Sequence, residues 1–305
     1  MGLFHCPMGA AFYDDDVCID CGMCTAKTKD DRVEASKKIR ECLKAHAARN
    51  ITIKKIAVCG KGGVGKSTIV ALMANALKDL GYSVLVLDAD ESNPGLSRLL
   101  GLQKQPEALM TALVGSSSGG KDAEWLKSEQ ISFKDIPAEF IDGDNLKFLM
   151  VGKIEDPFQG CACSLASLAR DLMGKLIVQD KEIVITDTEA GIESFGRGVE
   201  QYVDMVVVIV EPSYESVVLA EKIVYMAEGM GISHVGAILN KIPSEQTSQK
   251  MTMELEKRGV KLFGTIYLDP DLSAAAFEGT PLGNSKASED VRSIVKRLLA
   301  IGGAC

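Results

Sequence analysis

The stretch that decides the fold is Gly60–Thr68, GKGGVGKST. It follows an apolar run, IKKIAVCG (53–60), and opens a segment of helical periodicity over 67–80. A glycine-rich loop between a buried strand and a helix N-terminus is suited to holding phosphate. Gly60, Gly62, Gly63, Val64 and Gly65 supply the backbone of such a loop, and glycine lets successive N–H groups turn inward on phosphate oxygens. Lys66 is placed to reach the β and γ phosphates, Ser67 to bind Mg²⁺, and Thr68 to complete the nucleotide-binding set. A glycine turn with a chance lysine is the poorer reading, because strand, loop and helix are in register.

Beyond this loop the chain alternates apolar runs with amphipathic helical segments. The strand candidates are IKKIAVCG, SVLVLDAD (83–90), LKFLMVG (146–152), KEIVITDT (181–188), DMVVVIVEP (204–212), HVGAILNKI (234–242) and KLFGTIYLD (261–269). Their apolar runs are continuous rather than alternating, as expected of strands buried on both faces. Helices are expected at 67–80, 164–178, 215–230, 245–258 and 287–300. The fold class is therefore α/β, a mostly parallel sheet flanked by helices, over residues 51–305. GSSSGGK (115–121) reads as an exposed loop inside that domain. Residues 1–50 differ in character: they hold five of the nine cysteines and a charged helical run, and form a small Cys-rich module.

Composition narrows the function classes. The chain has 305 residues, a net charge of -8 and an apolar fraction of 46%. An acidic balance argues against a general nucleic-acid binder. No apolar run approaches the roughly 18 residues of a membrane span, and the N-terminus lacks the basic and apolar regions of a secretory signal. The expected location is cytoplasmic, with no membrane or nucleic-acid partner. In a reducing compartment, clustered cysteines favour metal or redox chemistry over disulfides.

Two cysteine groups carry that chemistry. CIDCGMC holds Cys18, Cys21 and Cys24 at the spacing of the first three ligands of a bacterial ferredoxin run. The fourth position is Thr28, so a further ligand is needed; Cys6, followed by Pro7, is the first candidate and Cys42 the second. A 4Fe-4S cluster is the expected occupant, with zinc the alternative. His5 reads as a surface residue. The second group is QGCACS (159–164), with Cys161 and Cys163 one residue apart. In an extended segment both thiolates would point to one side and could grip one ion. Two such pairs across a twofold axis give a four-thiolate set for Zn²⁺ or Ni²⁺. The alternative for this pair is a role as two small buried hydrophobes. Cys59 reads as core, Cys305 as a terminal residue and His234 as structural.

The KGGVGKS run, with Lys61 at its head, resembles the deviant Walker A motif of the nitrogenase iron protein and MinD-type ATPases. The resemblance runs from Ile53 almost to the end of the chain. It implies an ATP-promoted homodimer in which Lys61 crosses to the partner's nucleotide. It also implies that Asp90 in VLVLDADES orients the attacking water, with Asp88 supporting it. Asp187 in IVITDTEAG takes the Walker B position in the Mg²⁺ shell, and Gly191 is the glycine that senses the γ-phosphate. Asn240 in NKIP falls where this class contacts adenine, and Pro243 stands where a guanine reader carries Asp, so ATP is expected over GTP.

Within this class, TEAGIESFGRGVEQYVD and VVIVEPSYESVVLAEKI are similar to the CooC-type accessory ATPases of nickel carbon monoxide dehydrogenase. That family has a C-x-C ahead of Walker B, just before a helix, which implies that Cys161 and Cys163 are metal ligands, one pair per subunit. The expected function is that of a metallocentre maturation factor. It would hydrolyse ATP and deliver nickel to carbon monoxide dehydrogenase or acetyl-CoA synthase. The Cys-rich extension is a departure from the short CooC-type chains and resembles ferredoxin-like extensions of some MinD-superfamily ATPases. It keeps an alternative open, an ATP-gated electron donor resembling the nitrogenase iron protein, with an interfacial iron–sulfur cluster. A positioning switch of the MinD or partitioning type would need a membrane-binding terminal helix, and the amphipathic C-terminal segment reads instead as a packing helix.

Overall fold

A computed structural model describes residues 25, 27–35, 38, 52–102, 104–111, 124–154, 162–278 and 280–301. Cys6, Cys18, Cys21, Cys24, Cys42, Cys161 and the 115–121 loop lie outside these residues. Eight strands form one sheet: β1 (Lys55–Gly60), β2 (Ser83–Asp88), β3 (Ile141–Asp142), β4 (Leu146–Met150), β5 (Glu182–Asp187), β6 (Met205–Val210), β7 (His234–Ile242) and β8 (Leu262–Tyr267). Their spatial order is β3-β4-β2-β5-β1-β6-β7-β8. All neighbouring pairs are parallel except β3 with β4.

The continuous apolar runs have a physical explanation in this sheet. Along β1, Ala57 and Cys59 pack into one core while Ile56 and Val58 pack into the other. β2 repeats this with Leu85 and Leu87 on one face and Val84 and Val86 on the other. Each face must therefore be covered by helices. α1 (Lys66–Asp79) and α8 (Lys286–Ile301) cover one; α3 (Ala162–Lys175), α5 (Tyr214–Gly229) and α6 (Glu245–Lys257) cover the other. The C-terminal helix α8 buries Val291, Ile294, Val295 and Leu298, so it packs as expected. Shorter helices are α2 (Leu96–Leu99), α4 (Glu193–Arg197) and α7 (Pro270–Glu278), with 3-10 turns at Glu124–Lys127 and Val199–Tyr202, and residues 29–35 are helical as well.

Two features depart from the expectation. β3 has only two residues, too few to give a periodic signal, and a left-handed Gly143 lies in the turn leading to β4. The second departure concerns the C-x-C segment. α3 begins at Ala162, so Cys163 lies in the first turn of a helix and not in an extended strand. Cys163 therefore departs from the extended geometry expected of it, while Cys161 lies outside the described residues.

Among the described residues, no helix is long and apolar enough to cross a membrane.

Candidate functional site

The carboxyl ends of β1, β2, β5, β6 and β7 converge where strand order reverses around β1, the usual crevice for a ligand in an open parallel sheet. The loop 60–65 opens it. Gly60 has φ +146, and a Cβ there would come 2.6 Å from the carbonyl oxygen of Ile209 on the neighbouring strand, so only glycine fits. Gly65 is left-handed and no side chain caps α1, which leaves the first-turn amides of that helix open to an anion. Asn240, from β7, donates its Nδ2 to Val64 O at 2.8 Å, and Lys241 donates to Gly63 O at 2.6 Å. The end of β7 thus holds the loop's shape from outside.

Lys66 and Ser67 are both buried at the start of α1. Ser67 Oγ donates to Asp187 Oδ2 at 2.5 Å and accepts from Asn93 Nδ2 at 2.7 Å. Asp187 Oδ1 is buried with no hydrogen-bond partner. A hydroxyl and a carboxylate with a spare oxygen are hard donors of the kind Mg²⁺ takes, so the residues fit that ion. Register explains why the carboxylates crowd: Asp88 pairs directly with Asp187 across β2 and β5. Burial first, and then the nearby Asp88 charge, push Asp187 up to about 7. Burial raises Asp88 to about 6, against the pull of Lys153. A divalent cation would relieve both.

Lys153 is a residue that motif reading passes over. It follows β4, and its buried ammonium lies 2.8 Å from Asp88 Oδ2 and also donates to Asp90 O. Asp88 Oδ1 accepts from Asp90 N at 3.2 Å, so both of its oxygens are engaged in positioning the turn. Asp90, also buried, has Oδ1 fixed by the amide and hydroxyl of Ser92, at 2.9 and 2.6 Å. The one available signal was position: Lys153 lies three residues beyond a strand that neighbours β2 in the sheet.

Lys61 also has a partner on its own chain. Its Nζ lies 3.3 Å from Glu211 Oε1, and Lys241 lies 3.8 Å from the other oxygen of that carboxylate. Gly191 N donates to Gly60 O at 3.1 Å, which ties the turn after β5 to the loop. Beside Asn240, a cleft of about 90 Å³ is lined by Gly65, Thr68, Lys241, Leu268 and Leu272.

Cys163 is exposed on α3, the helix whose buried residues pack in the same core as Phe195 and Val199. Cys59 is its opposite, fully buried beneath the phosphate loop and 3.9 Å from Glu200 Oε1. Burial, then the Glu200 charge, raise the Cys59 thiol well above its ordinary value. Cys59 is therefore core, and His234 begins β7 as expected.

Comparison with known proteins agrees with this geometry. Residues 55–282 match the CobQ/CobB/MinD/ParA nucleotide binding domain. An uncharacterized ATP-binding protein of Methanocaldococcus jannaschii is 43% identical over 63% of this chain and 80% of its own. The carbon monoxide dehydrogenase accessory protein CooC of Rhodospirillum rubrum is 36% identical over 80% of this chain and 97% of that protein. Among solved structures, the septum site-determining protein MinD of Pyrococcus horikoshii, complexed with Mg-ADP, superposes with a TM-score of 0.60. It covers 80% of this chain and 95% of its own at 19% identity, so it speaks to fold alone. The matched family model, the CooC homologue and the loop geometry lead to one conclusion: the chain is a P-loop ATPase of the CobQ/CobB/MinD/ParA nucleotide-binding family.

Proposed function

We propose that the protein is a cytoplasmic, ATP-driven metallocentre maturation factor that carries Ni²⁺ or Zn²⁺ at Cys161 and Cys163 of a homodimer. Its client would be carbon monoxide dehydrogenase or acetyl-CoA synthase. The observation that carries this reading is the placement of an exposed cysteine, Cys163, at the start of a helix that packs beside the nucleotide-sensing turn. The homologue named as a carbon monoxide dehydrogenase accessory protein supports the choice of client.

In this reading the loop amides, Lys66 and Thr68 bind the triphosphate. Ser67 and Asp187 would hold Mg²⁺, which would neutralise charge on the phosphates. Asp90, its Oδ1 fixed by Ser92, presents its other oxygen to the attacking water, and Asp88 and Lys153 keep its backbone in place. Gly191 leaves the Gly60 carbonyl to meet the γ-phosphate, and Lys61 leaves Glu211 to reach the partner's nucleotide. Asn240 has one of its two amide N–H groups engaged with Val64, which leaves the other N–H and the Oδ1 acceptor to meet a base such as adenine, with its ring nitrogens and exocyclic amine. Two Cys161–Cys163 pairs complete a four-thiolate site when the dimer closes. The Cys-rich module, residues 1–50, holds a 4Fe-4S cluster through Cys18, Cys21, Cys24 and either Cys6 or Cys42.

The test is replacement of both Cys161 and Cys163 by Ala. Ni²⁺ or Zn²⁺ binding by the dimer is lost while ATP affinity stays within about twofold. Stoichiometric metal retained by that variant would refute the proposal.

A further inference from the structure

If the cysteine site answers to ATP, some contact must connect the two. The nucleotide side of that contact is the turn between β5 and α4. It starts at Asp187, includes Glu189, and is held to the phosphate loop by the Gly191–Gly60 hydrogen bond. Any ligand that draws Gly191 toward a γ-phosphate must break that bond and shift the turn.

The cysteine side is α3. Cys163 and Arg170 lie seven residues apart on this helix, two turns along the same face. Arg197 joins the two sides. Its Nη1 forms an ion pair with Glu189 Oε2, and its carbonyl, at the C-terminus of α4, accepts from Arg170 Nη1 at 3.0 Å. The fit is close as well as polar. Gly198 is left-handed (φ +75), and a Cβ there would come 3.3 Å from Arg170 Cδ. A turn further on, Tyr202 packs so tightly on α3 that a Cβ at Gly174 would come 3.0 Å from its ring. α3 and the segment 193–202 are therefore closely packed, so a shift of one must be accommodated by the other. Cys163 lies within electrostatic reach of the Arg197 guanidinium. Among the described residues, the other charged groups facing this junction are Glu91 and Glu193.

We propose that Arg197 is a positioning residue that couples the nucleotide state of the β5–α4 turn to the surroundings of Cys163. Glu189 reports the turn's position to the guanidinium, and the Arg197 carbonyl passes it to Arg170 and so to α3. The proposal rests on the ATP-switch reading above but not on which metal is carried, nor on whether one is.

The experiment measures the alkylation rate of Cys163 by iodoacetamide in the full-length protein. Fragment-resolved mass spectrometry separates Cys163 from Cys161, and each sample carries either Mg²⁺-ADP or Mg²⁺ with a non-hydrolysable ATP analogue. In the wild type the two nucleotides should give rates differing by about fivefold or more, the lower end of ordinary coupling. Arg197→Gln should bring that ratio close to one with nucleotide affinity within about twofold, and Arg197→Lys should restore part of it. Glu189→Gln breaks the same link from the other end and should behave like Arg197→Gln, which covers the case of an Arg197 variant that fails to fold. A full wild-type ratio in Arg197→Gln and Glu189→Gln would overturn the proposal, as would a wild-type ratio of one. Metal content, measured in parallel, reports on the carrier reading separately: a wild type without metal at Cys161 and Cys163 sinks that reading and leaves the coupling to stand or fall on the alkylation rates.

Discussion

The floor of the phosphate loop and the mouth of α3 each contain a cysteine, and the two regions use it in opposite ways. Beneath the loop, Cys59 is sealed in the core beside Glu200 and Thr188, with its thiol pushed up by burial. At the start of α3, Cys163 is exposed and lies near a guanidinium. The same side chain is structural in one setting and solvent-accessible in the other, because burial penalises the Cys59 thiolate while Cys163 faces solvent. The contrast extends to the carboxylates. Asp187, buried and crowded by Asp88, keeps one oxygen without a hydrogen-bond partner among the described residues, whereas Glu189 is matched by Arg197.

The sharpest way to break this comparison is to compare thiol reactivities. Cys163 should be alkylated on the order of a hundredfold faster than Cys59 in the folded protein at pH 8. Comparable rates, read by mass spectrometry, would show that the loop floor is not the closed core described.

The carboxylates give a pH signature of intermediate size. Asp187 and Asp88 have folded-state values above those of the unfolded chain, so between about pH 4 and 7 the folded protein binds more protons. Stability of the ligand-free protein should therefore fall as pH rises through that window. Mg²⁺ competes for the same oxygens, so the gain in stability from Mg²⁺-ADP should grow with pH, approaching tenfold in affinity per unit below about 7. Thermal melts from pH 5.5 to 8, with and without Mg²⁺-ADP, check both slopes. Asp187→Asn should flatten them.

The smallest expected effect concerns Lys61. Its pair with Glu211 is part-exposed on both sides and contributes less than about 1 kcal/mol after screening. Glu211→Gln should release Lys61 and tighten ATP-dependent self-association by about threefold, as read by sedimentation. A loss of association would show instead that Glu211 shapes the loop.

Much of this arrangement was legible in the sequence, for identifiable reasons. All seven strand candidates appear in the sheet, because parallel strands buried on both faces leave long apolar runs. The phosphate loop was legible because its chemistry is local. Lys153, Glu211 and Arg197 were not, because their meaning lies in contacts that the sequence separates. Lys153 meets Asp88 across 65 residues and Lys61 meets Glu211 across 150. Each reads in sequence as an ordinary solvated charge. The start of α3 was misplaced for a different reason. Small residues such as those of GCACS suit a tight loop and a helix start equally, so local composition alone does not place the boundary.

The central claim is that ATP assembles a metal site between two copies of this chain. The most direct test is the metal, iron and sulfide content of anaerobically purified protein with and without ATP, alongside its mass in solution. The protein should carry about four irons per monomer and, with ATP, form a dimer that gains one Ni²⁺ or Zn²⁺. A chain that stays monomeric with ATP would contradict that claim. So would about six irons per monomer with no other metal, a shared second cluster that marks an electron donor.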